Sequence, residues 1–453
     1  MDVARASEID ALRLTTLCLP VRKLQKSLHA KAKAEPSYRF YSLWDKMHRD
    51  DVLAEAYQLC RANRGAAGAD GETFADIEAQ GVDFWLGNLL EELRTKRYAP
   101  GPLLRVWIPK SNGGRRPLSI PSIRDRVAQM AAHLVLGPIF EADLLPQQYG
   151  FRPGVDAKMA IRRVFFHITQ HGRREIVDGD LSDYFGTIPH SPLLRCLVRR
   201  VSDGQVLSVV KQWLRTPVVE REGRRYRRTT EARDSQRGVP QGGCISPLMA
   251  NLYFRRFLLA WEKFGYARDL DAQVVNYADD LVICCKPGNG PAAMTRMREL
   301  MDRVGLRVNE QKTHLVSVPE ERFNFLGYTI GRFYGKDGRP YIGTCPSRKA
   351  VSRLLRRIHD ETSTRWVAKT VESRVTELNQ VIRGWCGYFN QGPVQKTYYF
   401  IRAYTEKRLR RWLMKKRQRR GTGYRQYPDA YLYEKLGLYK PVVRRVNPSS
   451  AKA

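Results

Sequence analysis

Val274-Val275-Asn276-Tyr277-Ala278-Asp279-Asp280-Leu281-Val282-Ile283-Cys284-Cys285 sets two adjacent carboxylates between two apolar runs. This pattern predicts a β-hairpin whose strands are too apolar to face water, joined by a short acidic turn. Ionised carboxylates at the tip of a buried hairpin repel each other and lose hydration unless a cation compensates them. Hard oxygen donors of this kind suit Mg²⁺, which takes carboxylates together with substrate phosphates. Aspartate is also common in solvated turns, so the reading turns on a third carboxylate and a nucleotide pocket elsewhere in the chain.

The third carboxylate is expected in Ile176-Val177-Asp178-Gly179-Asp180-Leu181-Ser182-Asp183-Tyr184-Phe185, where a short strand runs into acidic residues and an aromatic pair. With this strand beside the hairpin, Asp180 and Asp279 would hold two ions ~3.5–4 Å apart and align an in-line displacement. By spacing alone, Asp178 and Asp183 compete with Asp180 for that role. Gly238-Val239-Pro240-Gln241-Gly242-Gly243-Cys244 is a glycine-rich loop opening a helix, where backbone can approach a ligand and Gln241 can reach a base or sugar. Lys110 and Arg116 flank the flexible tip of a predicted hairpin over 105–123 and could clamp a triphosphate or simply be solvated.

Composition supports a polyanionic partner. Lys+Arg number 79 against 46 Asp+Glu in 453 residues, a net charge of +33, and a folded chain with 10% aromatics and this excess points to nucleic acid. No apolar run approaches the ~18 residues of a membrane-spanning helix. The eight cysteines are scattered without a Cys-x-x-Cys pair, which argues against a zinc module and for reduced thiols in a cytoplasmic protein.

Residues 1–37 form a basic, partly helical extension, read equally as a solvated arm or an RNA contact. Helices are predicted near 124–141, 155–170, 192–216, 247–264 and 292–304, with a strand over 174–179. From 341 the chain is expected to be all-helical and basic to 440, with a tail over 441–453. Val367, Val371, Val375, Leu378, Ile382 and Trp385 recur at intervals of three and four. A second helix near 396–416 carries Arg408, Arg410, Arg411, Lys415 and Lys416.

Tyr277-Ala278-Asp279-Asp280, preceded by 180–185 and Gln241-Gly242, resembles the reverse transcriptases. Further motifs extend the likeness: 63–71, Ile108-Pro109-Lys110, Gln148-Tyr149-Gly150-Phe151-Arg152-Pro153-Gly154, 246–253, Asn309-Glu310-Gln311-Lys312-Thr313 and Phe325-Leu326-Gly327-Tyr328. Together they resemble the intron-encoded proteins of bacterial group II introns over about residues 38–440. Arg383-Gly384-Trp385-Cys386-Gly387-Tyr388-Phe389, alone a glycine-capped helix end, is similar to the maturase or thumb motif of that family.

The resemblance implies an α+β right-hand polymerase, with fingers and palm over 38–340 and an all-α thumb/maturase domain over 341–440. Asp180, Asp279 and Asp280 would be the metal triad, for two Mg²⁺ ions with Mn²⁺ as a substitute. Phe185 would exclude a 2′-hydroxyl; Gln241, Leu181 and the backbone beside Phe185 would complete the nucleotide pocket, with Lys110 and Arg116 on the phosphates. Lys312 would protonate pyrophosphate, and Phe325, Leu326, Gly327 and Tyr328 would hold the primer end. Arg408, Arg411, Lys415 and Lys416 would track RNA phosphates. Two departures stand out: Gly186 in place of an acidic residue, and Gly243-Cys244 in place of a small polar one. Neither removes a metal ligand.

The implied partners are the group II intron RNA, an RNA template with DNA or RNA primer, dNTPs and target DNA, in a ribonucleoprotein of the bacterial cytoplasm, at the nucleoid when on DNA. With neither a cysteine-paired endonuclease module nor an RNase H region apparent, second-strand nicking is not expected of this chain. The rival expectations are a chiefly RNA-binding splicing cofactor and a host-recruited reverse transcriptase of defence or repair.

Overall fold

The computed structural model describes residues 18–109, 114–222 and 225–443, with backbone alone at 225 and 226. Its strands are β1 (Leu103–Pro109), β2 (Arg115–Ile120), β3 (Glu175–Asp180), β4 (Val218–Glu222), β5 (Arg225–Thr229), β6 (Gln273–Tyr277), β7 (Asp280–Cys285), β8 (His314–Ser317), β9 (Phe323–Phe325), β10 (Tyr328–Tyr334) and β11 (Pro340–Pro346). Among the described residues they make sheets ordered β2-β1-β4-β5, β6-β7-β3-β8 and β11-β10-β9. The β6-β7-β3-β8 sheet is antiparallel throughout and positions the site.

Both faces of this central sheet are covered, which is why apolar residues occupy both faces of β6 and β7. Val177, Val274, Leu281, Ile283 and Cys285 enter one core with Ala293, Met297 and Leu300 of helix Gly290–Arg303. Their alternates Ile176, Val275, Tyr277, Val282 and Cys284 enter a second core with Ile161 and Val164 of helix Ala157–Thr169 and with Phe323, Phe325 and Tyr328. Period-two alternation thus sends successive side chains into different apolar layers rather than into core and water.

Helix Ile123–Glu141 is buried nearly all round and organises the larger core. Helix Leu19–Ala34 packs on it through Val21, Leu28 and Ala32. Pro138 lacks the N–H that would bond the Leu134 carbonyl one turn back, and Gln25 Nε2 donates to that carbonyl at 3.0 Å instead. The basic extension is therefore a docked helix from Leu19 onward, tied in by an apolar stripe that its lysines and arginines obscure.

The C-terminal region packs helices Arg348–Glu361, Val371–Tyr388 and Gln395–Lys416 around Leu354, Ile358, Val375, Leu378, Ile382, Leu409 and Trp412. Three expectations change here. Strand β11 runs to Pro346, past the 341 boundary, so the region is not wholly helical. Val367 precedes the second helix, which starts where Thr370 Oγ1 accepts from Ser373 N at 3.2 Å. Gly384 and Gly387 lie inside that helix, whose cap is Phe389 at φ −88°, not a glycine. The chain is thus a mixed α+β body followed by a helical region, and no helix among the described residues is long and apolar enough to cross a membrane.

Candidate active site

The opening hairpin forms as predicted: Tyr277 pairs with Asp280, leaving Ala278 and Asp279 as a two-residue turn. Ala278 has φ +58°, the left-handed region usually given to glycine at the first central position of a tight hairpin turn. Surrounding buried groups hold it there. Asn276, wholly buried, donates from Nδ2 to the carbonyls of Ala278 (2.8 Å) and Asp280 (3.2 Å). Its own backbone is paired on the outer side, with Asn276 N donating to Gln147 O and Tyr149 N donating to Asn276 O, both at 2.8 Å. Gly150 lies so close that a Cβ there would overlap the Ala278 backbone. Asn251 Nδ2 donates to Gly150 O at 2.7 Å and Gln148 Nε2 donates to Asn251 O at 2.9 Å, closing a buried polar ring around the turn.

Asp180 is the cross-strand partner of Asp280, so strand pairing alone sets two of the carboxylates side by side, with Asp279 at the adjoining turn. The loop from Asn309 to Thr313 wraps Asp180 on three sides. Asn309 N donates to Asp180 O at 2.8 Å, Asp180 N donates to Thr313 Oγ1 at 3.2 Å, and Lys312 Nζ lies 3.2 Å from Asp180 Oδ2. The rivals sit elsewhere. Asp178 is two pairs back, opposite Val282 and His314, and Asp183 is past the strand end at φ +45°.

Charge is concentrated here. Packing around its carboxyl, then Asp279, Asp178 and Asp180, push Asp280 up to about 7 against the opposing pull of Lys312. Asp280 is nevertheless open to solvent along one side, which makes the like charges the cause of greater weight. Burial pushes Asp178 up to about 6, with Asp180 adding to it and His314 opposing. A cluster of hard oxygen donors whose charges resist one another fits a divalent cation in its chemistry. Among the described residues, no three acidic, histidine or cysteine side chains are placed so that they could together hold a metal ion; Lys312 is the cation at Asp180.

Beside the carboxylates, Phe185 is buried in the short helix Tyr184–Thr187, and its carbonyl accepts from Val239 N at 2.8 Å. Leu181 is buried and bridges to Val308. Arg116 Nε donates to Gln241 Oε1 at 2.7 Å, and Gln241 Nε2 reaches Asp183 Oδ1 at 3.4 Å. Ser119 N donates to Gln241 O at 2.7 Å. Gly242, at φ +125°, lies where a Cβ would press on the Ser119 carbonyl. The glycine-rich loop is thereby stitched to β2 on one side and to 183–188 on the other. Gly186 leaves the space that the Asp183 carboxylate fills, since a Cβ there would overlap it. Lys110 lies outside the described residues.

Phe325 and Tyr328 end β9 and begin β10, with Leu326 and Gly327 as the turn. The basic cluster divides in two. Arg408 donates to Thr362 Oγ1 (2.9 Å) and to the His359 and Thr362 carbonyls (3.2 Å each), closing the end of helix Arg348–Glu361. Lys416 donates to Val367 O at 2.9 Å. Arg411 and Lys415 face outward.

Asn276, Asn251 and Thr313 lie within the quoted motifs but gain no role of their own from sequence, and Asp183 enters there only as a rival metal ligand. Asn276 and Asn251 carried a signal, since an amide inside an apolar run must find partners on burial.

Residues 108–330 match the family described as reverse transcriptase (RNA-dependent DNA polymerase), and residues 351–428 match the group II intron, maturase-specific domain. The chain is 31% identical to Protein YkfC of Escherichia coli (strain K12) over 372 residues, 73% of this chain and 93% of that protein. It is 29% identical over 216 residues to the group II intron-encoded protein LtrA of Lactococcus lactis subsp. cremoris, 47% of this chain but 34% of LtrA. An uncharacterized 91 kDa protein in the cob intron of Schizosaccharomyces pombe is 23% identical over 432 residues, 78% of this chain and 51% of that protein. The chain therefore belongs to the group II intron reverse transcriptase/maturase family, with an RNA-dependent DNA polymerase domain followed by a maturase-specific domain.

Proposed function

We propose that this chain copies RNA into DNA at Asp180, Asp279 and Asp280 and binds its group II intron RNA as a maturase, promoting splicing and target-primed reverse transcription. The observation that carries the catalytic reading is the cross-strand pairing of Asp180 with Asp280 at the end of a sheet buried on both faces. In this reading the chain is a right-hand polymerase. The body over 38–340 supplies fingers and palm, the docked helix Leu19–Ala34 buttresses them, and the region over 341–440 is the thumb and maturase domain.

The family generally uses a divalent metal. Asp180, Asp279 and Asp280 would hold Mg²⁺, or Mn²⁺ in its place, which supplies activation of the primer 3′-hydroxyl and neutralisation of the departing pyrophosphate. The remaining roles belong to the chain's own side chains. Phe185 walls the sugar pocket with Leu181, and Gln241 fixes the incoming dNTP. Arg116 exchanges Gln241 for a triphosphate oxygen, and Lys110 is the second cation this reading assigns to the phosphates. Lys312 is held where it can protonate the leaving group, and Phe325, Leu326, Gly327 and Tyr328 grip the primer end.

For RNA, the outward stripe of the last helix combines Lys396, Tyr399, Phe400, Lys407, Arg411 and Lys415, all exposed. Tyr399 and Phe400 are 70% and 52% exposed, a stacking surface among phosphate-binding cations. Arg408 and Lys416 act behind it by fixing the helices. The stripe supports binding of RNA, and the reading places that work in a cytoplasmic ribonucleoprotein that meets target DNA at the nucleoid. Primer extension on an RNA template with Mg²⁺ tests the reading: Asp279→Ala should abolish synthesis while leaving intron RNA binding and protein-assisted splicing intact. Retained synthesis would refute the site.

A further inference from the structure

The turn between β9 and β10 is conformationally costly and is held from outside its own sheet. Phe325 pairs with Tyr328, so Leu326 and Gly327 form a two-residue loop, with φ +47° and +81°. A hairpin of this kind favours Asn-Gly, and a leucine at its first position adopts backbone angles that L side chains rarely take. Both turn carbonyls are bonded by donors from the start and end of C-terminal helices. Tyr388 Oη donates to Leu326 O at 2.7 Å, and Ser347 N, at the cap of helix Arg348–Glu361, donates to Gly327 O at 2.8 Å. Tyr328 Oη returns the contact, donating to Tyr388 O at 2.6 Å. The Phe389 ring closes the remaining side, 3.2 Å from where a Cβ on Gly327 would lie.

Tyr388 is the last residue of helix Val371–Tyr388, within the maturase-specific domain. Its helix end is fixed in turn by Tyr398 of the last helix, whose hydroxyl lies 2.8 Å from Phe389 O and 3.1 Å from Cys386 O. Two of the C-terminal helices thus meet this turn, and the third holds the end of one of them. Burial pushes the phenols of Tyr388 and Tyr328 above their ordinary range, so both remain donors at working pH.

We propose that Tyr388 is a positioning residue for DNA synthesis, setting through the Leu326 carbonyl the turn that aligns the primer end. The C-terminal region then does more than hold RNA: it completes the geometry of a turn that the polymerase body alone leaves unsupported. This inference rests on reading 325–328 as the primer grip. The consequence is a thermodynamic link, in which whatever orders these helices, intron RNA included, also orders the primer turn.

Tyr388→Phe removes one hydroxyl and keeps the ring. In single-nucleotide incorporation on a preformed RNA–DNA primer–template, we expect kcat to fall about tenfold, as for a half-buried carbonyl of a strained turn left without its donor. KM for the dNTP and Kd for intron RNA should stay within about twofold, because neither site is touched. Tyr328→Phe, which removes the reciprocal bond, should lower kcat in the same sense, and the double variant should be less than additive. Tyr398→Phe is the control for stability: it loosens the same helix end without touching the turn. If Tyr388→Phe keeps kcat within about twofold of wild type, or if Tyr388→Phe and Tyr398→Phe lose activity only in proportion to their loss of Tm, the proposal is overturned. Absence of extension by the wild type would refute the polymerase reading itself, and this inference with it. Extension by wild type and Tyr388→Phe alike would overturn the inference alone.

Discussion

Two hairpin turns in this molecule solve the same conformational problem with different neighbours. The turn at 277–280 and the turn at 325–328 each place a non-glycine residue, Ala278 or Leu326, in left-handed backbone. The first is held by its own core, through Asn276, Asn251 and the close approach of Gly150. Tyr388 and Ser347, from the helical region that follows the body, hold the second. The turn that carries the carboxylates is fixed from within the body, whereas the turn at 325–328 takes its carbonyl partners from the region that follows.

Substitutions can break one turn and spare the other. Gly150→Ala drives a methyl into the Ala278 backbone, so the catalytic turn must shift. Activity should fall by roughly a hundredfold, since misplacement of about 1 Å near the chemistry has that effect. Binding of intron RNA should stay unchanged; normal incorporation kinetics would show that the turn tolerates displacement.

Asn276→Ala is the next largest. It strips the carbonyls of Ala278 and Asp280 of their buried donor and should destabilise the chain by about 2–3 kcal/mol, read from denaturant unfolding. Its effect on synthesis should exceed that of Tyr388→Phe, because it disturbs the carboxylates directly.

A smaller effect concerns pH. The Asp280 carboxyl is raised in the folded chain from 3.8 to about 7. Its contribution to stability is therefore fully present below the unfolded value and is lost as pH rises through the folded one. Above that, the folded chain carries the full repulsion of ionised neighbours, which a bound divalent cation relieves. Added Mg²⁺ should raise Tm more at about pH 8 than at about pH 5.5, and Asp280→Asn should flatten that difference. Equal Mg²⁺ shifts at both pH values would contradict the like-charge account. The turn at 325–328 has no carboxylate and predicts no such dependence.

The sequence read the first turn far better than the second. Strands β6 and β7 announce themselves because both their faces are buried, so apolar residues flank the aspartates on both sides, with Asn276 the one amide between Val274 and Cys285. Asp180 was favoured because a strand ends at it, and the structure adds its cross-strand pairing with Asp280, which neither Asp178 nor Asp183 shares. What stayed hidden depends on tertiary partners. The helix Leu19–Ala34 looks like a solvated basic arm because its buried stripe is narrow, and its repair of the Pro138 gap is a long-range contact. Arg408 and Lys416 share their composition with Arg411 and Lys415, and only their hydrogen bonds separate structural cations from exposed ones. Tyr388 reads as core packing until its hydroxyl is traced to Leu326.

The central claim, that Asp180, Asp279 and Asp280 form the site of RNA-directed DNA synthesis, is tested most directly by steady-state primer extension on an RNA template with Mg²⁺, comparing wild type with Asp279→Ala. Wild type should synthesise DNA, and the variant should lose activity by roughly a thousandfold or more while binding intron RNA normally. Synthesis by Asp279→Ala at near wild-type rate would contradict the account.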